Sequence, residues 1–172
     1  MSMTGELTPS MTDSARRPAV LTLADGLMIV IGLLAAWLRF GDLAGLPLSA
    51  VEAQAALAAH NFWTAGAPVI PPASPAYFSF TGLIMGLGAG GDAAARFVPA
   101  LFGVLTVLLP WLWRGRVRPI AWLTASLFMA LSPLLAVISR TAGGDAIALF
   151  ALLLLAVAGV GGQVGRGRAI AL

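Results

Sequence analysis

Four long apolar stretches, at roughly residues 20–40, 97–113, 120–139 and 146–162, set the plan of the chain. A helix of about 20 mostly apolar residues crosses a hydrocarbon core of roughly 30 Å, and each stretch approaches that length without strand-like alternation of apolar and polar positions. The pattern predicts an all-α integral membrane protein with about four transmembrane helices. A fifth apolar stretch, 77–89, reaches only about 20 Å as a helix and contains Gly82, Gly86 and Gly88. That length predicts a short re-entrant or interfacial helix rather than a crossing.

Between the first and second long stretches lies a loop, residues 41–96, with its own architecture. Ser49-Ala-Val-Glu52 has the spacing of a capping box. It opens an amphipathic, Ala-rich loop helix, AVEAQAALAAHNFW, expected to run to about Trp63 and to end near Gly66. Pro68, Pro71, Pro72 and Pro75 then predict extended chain up to the short helix. The organisation read from this pattern is a disordered cytoplasmic tail at 1–19, a transmembrane module at 20–162 with its outer loop at 41–96, and a cytoplasmic C-terminal tail at 163–172. No small-residue cleavage site follows the first apolar run, which therefore reads as a retained anchor rather than a signal peptide.

Composition agrees with this plan. Hydrophobic residues make up 59% of the 172 positions and charged residues 10%, where a soluble domain carries about a quarter charged residues. With no Cys, disulfides and thiolate chemistry are excluded. The ten basic residues are all Arg and form no run that would suggest nucleic-acid binding, so they read as topology signals. Four spans with the N-terminus inside place Arg16, Arg17, Arg114, Arg116, Arg118, Arg166 and Arg168 in the cytoplasm, and only Arg39, Arg96 and Arg140 outside. Counting 77–89 as a span would move Arg114, Arg116 and Arg118 to the outer side, against the positive-inside rule. Trp111, Trp113 and Trp122 then gather at the inner boundary.

Each polar residue with chemical potential has two readings. Glu52, just outside the membrane, could act as a general base or a cation ligand, or it could cap its own helix from three residues after Ser49. Asp92 and Arg96, four apart at a helix start, could pair with one another, or Arg96 could hold a lipid phosphate. In Ser139-Arg-Thr-Ala-Gly-Gly-Asp145, Arg140 could anchor the interface or clamp a phosphate, and Asp145 could begin a helix or contact a cation or acceptor. Asp25, at the edge of the first span, is an intramembrane carboxylate within reach of interfacial water. His60 stands about 80° around the loop helix from Glu52, so the two do not share a clear face, and it reads as an interfacial residue rather than a metal ligand.

In order and spacing, the first span ending in Arg39-Phe40, the loop helix VEAQAALAAHNFWTAG, the turn SPAYFSF, the stretch GDAAARFVPALFGVLTVLLPW and the segment SPLLAVISRTAGGDAIALF resemble the N-terminal part of the GT-C superfamily of membrane glycosyltransferases, which includes protein O-mannosyltransferases and aminoarabinose transferases. ARFVPALFG and SPLLAVISRTAGGD are the most distinctive segments. The resemblance implies a bacterial inner or cell membrane protein that takes a sugar from a polyprenyl-phosphate carrier on the outer face. It assigns Glu52 and Asp145 to the catalytic side and Arg96 and Arg140 to the substrate phosphate. Where the family commonly carries an Asp-Glu pair this chain has Val51-Glu52, and a valine can neither take a proton nor bind a cation. The family's enzymes have more spans, usually at least seven, so the chain is expected to be a truncated, split or decayed copy, incomplete or catalytically impaired on its own. The alternative is a non-catalytic accessory subunit packed against other membrane proteins, with small residues such as Gly26, Gly32, Gly103, Gly161 and Gly162 permitting close approach. No cofactor is specified; a divalent cation is the one the acidic residues leave open.

Overall fold

A computed structural model describes residues 22–45, 47–65 and 74–169, with side chains described only to residue 62 in the second segment and to residue 159 in the third. The tail at 1–19 with Arg16 and Arg17, the prolines at 68–72 and the side chains of Arg166 and Arg168 lie outside these residues. Among the described residues the protein is all-helical. Its elements are α1 (Leu23–Phe40), α2 (Ala50–Ala65), α3 (Pro75–Gly86), α4 (Asp92–Leu108) continued by a 3₁₀ turn (Leu109–Trp113), α5 (Pro119–Leu131), α6 (Pro133–Arg140) and α7 (Asp145–Ala169).

Two helical segments are long and apolar enough to cross a membrane, α1 and the continuous run Asp92–Trp113, and the count rises to three if α5 and α6 are taken as one broken span. The expected third span is not straight. α5 and α6 meet at Ser132-Pro133 with a bend of 59°. Proline has no N–H to continue the helix and disfavours the helical region for the residue before it; Ser132 accordingly turns extended at ψ 117°, and its hydroxyl accepts from the Leu135 N–H to start α6. The fourth stretch forms α7, of which Asp145–Gly159 is an apolar helix shorter than a span among the residues whose side chains are described, while its backbone stays helical to Ala169. The twelve-residue α3 is too short to cross.

α1 starts where Thr22 and Asp25 form a capping box, the Thr22 N–H donating to Asp25 at 3.1 Å and the Asp25 N–H to Thr22 at 3.3 Å. The same carboxylate accepts from the Trp111 indole N–H at 3.2 Å and lies 3.8 Å from Arg114, which also covers the Trp111 ring. These contacts place the start of α1 beside the end of α4, so the two run antiparallel. α5 returns toward the C-terminal end of α1, and α7 runs back down.

Small residues and two prolines decide how closely the helices pack. Ile31, Ala35, Val107 and Ala130 form one core among α1, α4 and α5. Ala56, Tyr77, Ala95, Val98, Ala142 and Ile147 form a second where α2 and α3 meet α4 and α7. Gly103 is obligatory, because a Cβ there would collide with Ser139 and press on Arg39. Gly32 packs closely on Leu108, whereas Gly26 faces open space.

Pro99 within α4 withdraws the N–H that would bond the Ala95 carbonyl four residues back, and the buried Tyr77 hydroxyl donates to that carbonyl at 3.0 Å. Pro133 likewise orphans the Met129 carbonyl, and Arg39, fully buried at the end of α1, donates to it at 3.1 Å while reaching Ala130 and its own Ala35 carbonyl more loosely. Each proline opens a backbone acceptor inside the bundle, and a polar side chain from another helix fills it.

Candidate functional site

Glu52 is positioned first by its own helix. The Ser49 N–H donates to Glu52 Oε2 at 2.9 Å and the Glu52 N–H to the Ser49 hydroxyl at 3.4 Å, so the predicted capping box is formed. The carboxylate then ties α2 to distant parts of the chain. Its Oε1 accepts from the Ala142 N–H at 2.7 Å, in the turn between α6 and α7, and its Oε2 meets Arg96 of α4 at 3.3 Å. Burial alone would raise the pKa of Glu52. The donated bonds from the Ser49 and Ala142 backbone and from Arg96 outweigh it and hold the carboxyl at about 2. At neutral pH it is an ionised acceptor with both oxygens engaged, a poor proton acceptor.

Arg96 is 7% exposed and donates to the carbonyls of Leu43 and Pro47, at 3.0 and 3.2 Å, as well as to Glu52. The expected pair with Asp92 is replaced by this one: the Arg96 guanidinium turns toward the loop after α1, and no Asp92–Arg96 ion pair forms among the described residues. Arg140, half-buried at the end of α6, donates to the Asp42 carbonyl at 3.1 Å, and its other N–H groups have no hydrogen-bond partner among the described residues. Asp42 sits in the left-handed region at φ 53°, a conformation that short polar side chains tolerate.

Glu52, Arg96 and Arg140, 44 and 88 positions apart along the chain, line one cavity of about 660 Å³ together with Asp42, Pro47 and Thr141. Three of the four residues that the resemblance assigns to catalysis or to the phosphate are thereby brought together. Asp145 is not: it is exposed in the first turn of α7 and does not line the cavity. His60 and Asp92 share a separate groove of about 350 Å³. Asp25 is engaged with Thr22, Trp111 and Arg114 at the far end of the bundle.

Among the described residues no group of three His, Cys, Asp or Glu side chains is placed to hold a metal ion. The N–H and guanidinium donors around Glu52 create an environment suited to an anionic oxygen rather than to a cation. Free donor capacity on the cavity wall belongs to Arg140, so the arrangement can bind a phosphate or carboxylate more readily than it can move a proton.

Sequence reasoning missed Arg39, Tyr77 and Asp42. Arg39 and Tyr77 act on carbonyls freed by prolines, a signal present in the sequence as Pro133 and Pro99 but one that names no partner. Asp42 enters the cavity wall through a turn that its neighbours Gly41 and Gly45 hint at. No family model, curated protein or solved structure matches the chain.

Proposed function

We propose that this chain is a membrane-embedded, phosphate-binding module of the GT-C type, which receives a polyprenyl-phosphate or similar lipid phosphate in the Glu52–Arg96–Arg140 cavity and does not transfer a sugar by itself. Four traversals are assigned to α1, Asp92–Trp113, the α5–α6 pair and α7, with the N-terminus and the Arg114–Arg118 turn inside and the cavity outside. The seven-to-three distribution of Arg supports that orientation. The observation that carries the reading is that Arg140 faces the cavity with unused N–H groups while Glu52 is held ionised near pKa 2. A base positioned for proton transfer contributes about 10² to 10⁴ in rate, and this cavity offers none in its most conspicuous carboxylate.

The test is binding and turnover by the full chain reconstituted in liposomes with a polyprenyl-phosphate sugar. Carrier should be retained without turnover. Arg140→Ala should weaken retention more than Glu52→Gln does. Turnover abolished by Glu52→Gln would overturn the reading. For orientation, Gly90→Cys and Gly115→Cys both fall where a side chain meets open space. Only Gly90→Cys should react with a membrane-impermeant thiol reagent in intact cells.

A second reading, an accessory subunit, rests on α1. Only 22% of its apolar window is buried, against 61% for Asp92–Trp113, and Val30, Leu33 and Trp37 are exposed along it. If that face meets another protein, Leu33→Trp should release a partner in mild detergent while leaving the helical content unchanged.

A further inference from the structure

The end of the bundle opposite the Glu52 cavity holds a second enclosure, made of different chemistry. Where α4 tightens into its 3₁₀ turn and α5 begins, a cavity of about 330 Å³ opens between that turn, α5 and α7, walled by residues including Pro110, Trp113, Val117, Trp122 and Leu153. Every residue lining it is apolar or aromatic. Trp122 is 3% exposed, and its indole N–H has no hydrogen-bond partner among the described residues. Along the chain, Arg116 and Arg118 flank the lining residue Val117. Both are exposed, with no ion pair or side-chain hydrogen bond among the described residues. Arg114, two residues earlier, is engaged by Asp25 and the Trp111 ring instead.

An apolar slot whose lining residue Val117 stands between two exposed, uncommitted arginines matches an acyl chain and the phosphate of the same lipid. We propose that this end of the bundle binds one anionic glycerophospholipid, with an acyl chain in the slot and its phosphate between Arg116 and Arg118. The volume lies within the roughly 300–1,000 Å³ typical of small-molecule sites. Basic groups bordering an apolar pocket between membrane helices are the arrangement that anionic headgroups select. The site shares no residue with the outer cavity and stands independently of the function proposed there.

The full chain, purified in mild detergent and mixed with equal amounts of phosphatidylglycerol and phosphatidylcholine, would be examined by native mass spectrometry. One phosphatidylglycerol should be retained in preference to phosphatidylcholine, and Arg116→Ala and Arg118→Ala should each lower that preference roughly fivefold. Ala125→Phe, which fills the slot from its wall, should abolish retention of either lipid with helical content unchanged. Equal retention of the two lipids by the unaltered chain would overturn the proposal. So would an undiminished preference in the Arg116→Ala/Arg118→Ala variant, or full retention in a folded Ala125→Phe variant. Because the two arginines stand on an exposed turn, their variants decide the question even if Ala125→Phe does not fold.

Discussion

Arg39 and Arg96 are both buried arginines near the same end of the bundle, yet they are neutralised in opposite ways. Arg96 meets a carboxylate, Glu52, and two loop carbonyls. Arg39 forms no ion pair among the described residues and is held by backbone carbonyls, chiefly the Met129 oxygen released by Pro133. The contrast teaches that a helix break can serve as the counter-group for a buried charge. The last turn of a helix carries a partial negative charge and unpaired acceptors, and a proline placed next to it keeps those acceptors open.

The largest expected effect follows from that pairing. Arg39→Met should destabilise the protein by about 3 kcal/mol, since it leaves buried acceptors without donors. Pro133→Ala returns an N–H to the Met129 carbonyl, so in that background Arg39→Met should cost less than half as much. A double-mutant cycle of unfolding midpoints in detergent measures the coupling; strictly additive losses would show that Arg39 and the break are independent.

Glu52→Gln comes next, at about 2 kcal/mol, less than for a fully buried pair because both partners keep some exposure. Its signature is pH dependence. The folded carboxyl is depressed from 4.5 to about 2, so its stabilisation is complete above the ordinary glutamate range and is lost as the pH falls from about 4.5 toward 2. The unaltered chain should lose stability across that window, and Glu52→Gln should show a flatter profile. Parallel profiles would place the acid sensitivity elsewhere.

Tyr77→Phe removes the donor to the Ala95 carbonyl and should cost about 1–2 kcal/mol. Adding Pro99→Ala should recover part of that loss, the same logic as at Pro133 on a neutral group. The smallest effect is expected at Asp25→Ala, which removes the N3 half of the capping box, read as a modest fall in thermal midpoint.

The α4–α7 region and the loop helices also differ in how legible they were. The helical class, the Glu52 capping box and the shortness of the helix within 77–89 depend on periodicity, on a three-residue spacing and on length, all local properties written directly in the chain. The role of Asp25 was within reach of the sequence too, since Thr22-Leu-Ala-Asp25 is itself a capping signature, but its place at the edge of an apolar run made it read as a hydrated intramembrane carboxylate instead. The break at Ser132-Pro133 could be suspected from the proline alone; its angle could not, because bending depends on what fills the gap.

What the sequence by itself determined is therefore the helical, apolar character of the chain, the capped start of α2 at Ser49 and the residue types available for chemistry. Hydrophobic period, caps and prolines act over one or two turns. Only the tertiary structure decided that Arg96 pairs with Glu52 rather than Asp92, that Arg140 shares their cavity while Asp145 does not, and that Arg39 and Tyr77 fill carbonyls opened by prolines on other helices. Those outcomes depend on which helices touch and at what depth, set by close approaches such as Gly103 against Ser139. A charged side chain in an apolar setting takes the nearest acceptor in space, and that acceptor is fixed by packing, not by sequence separation.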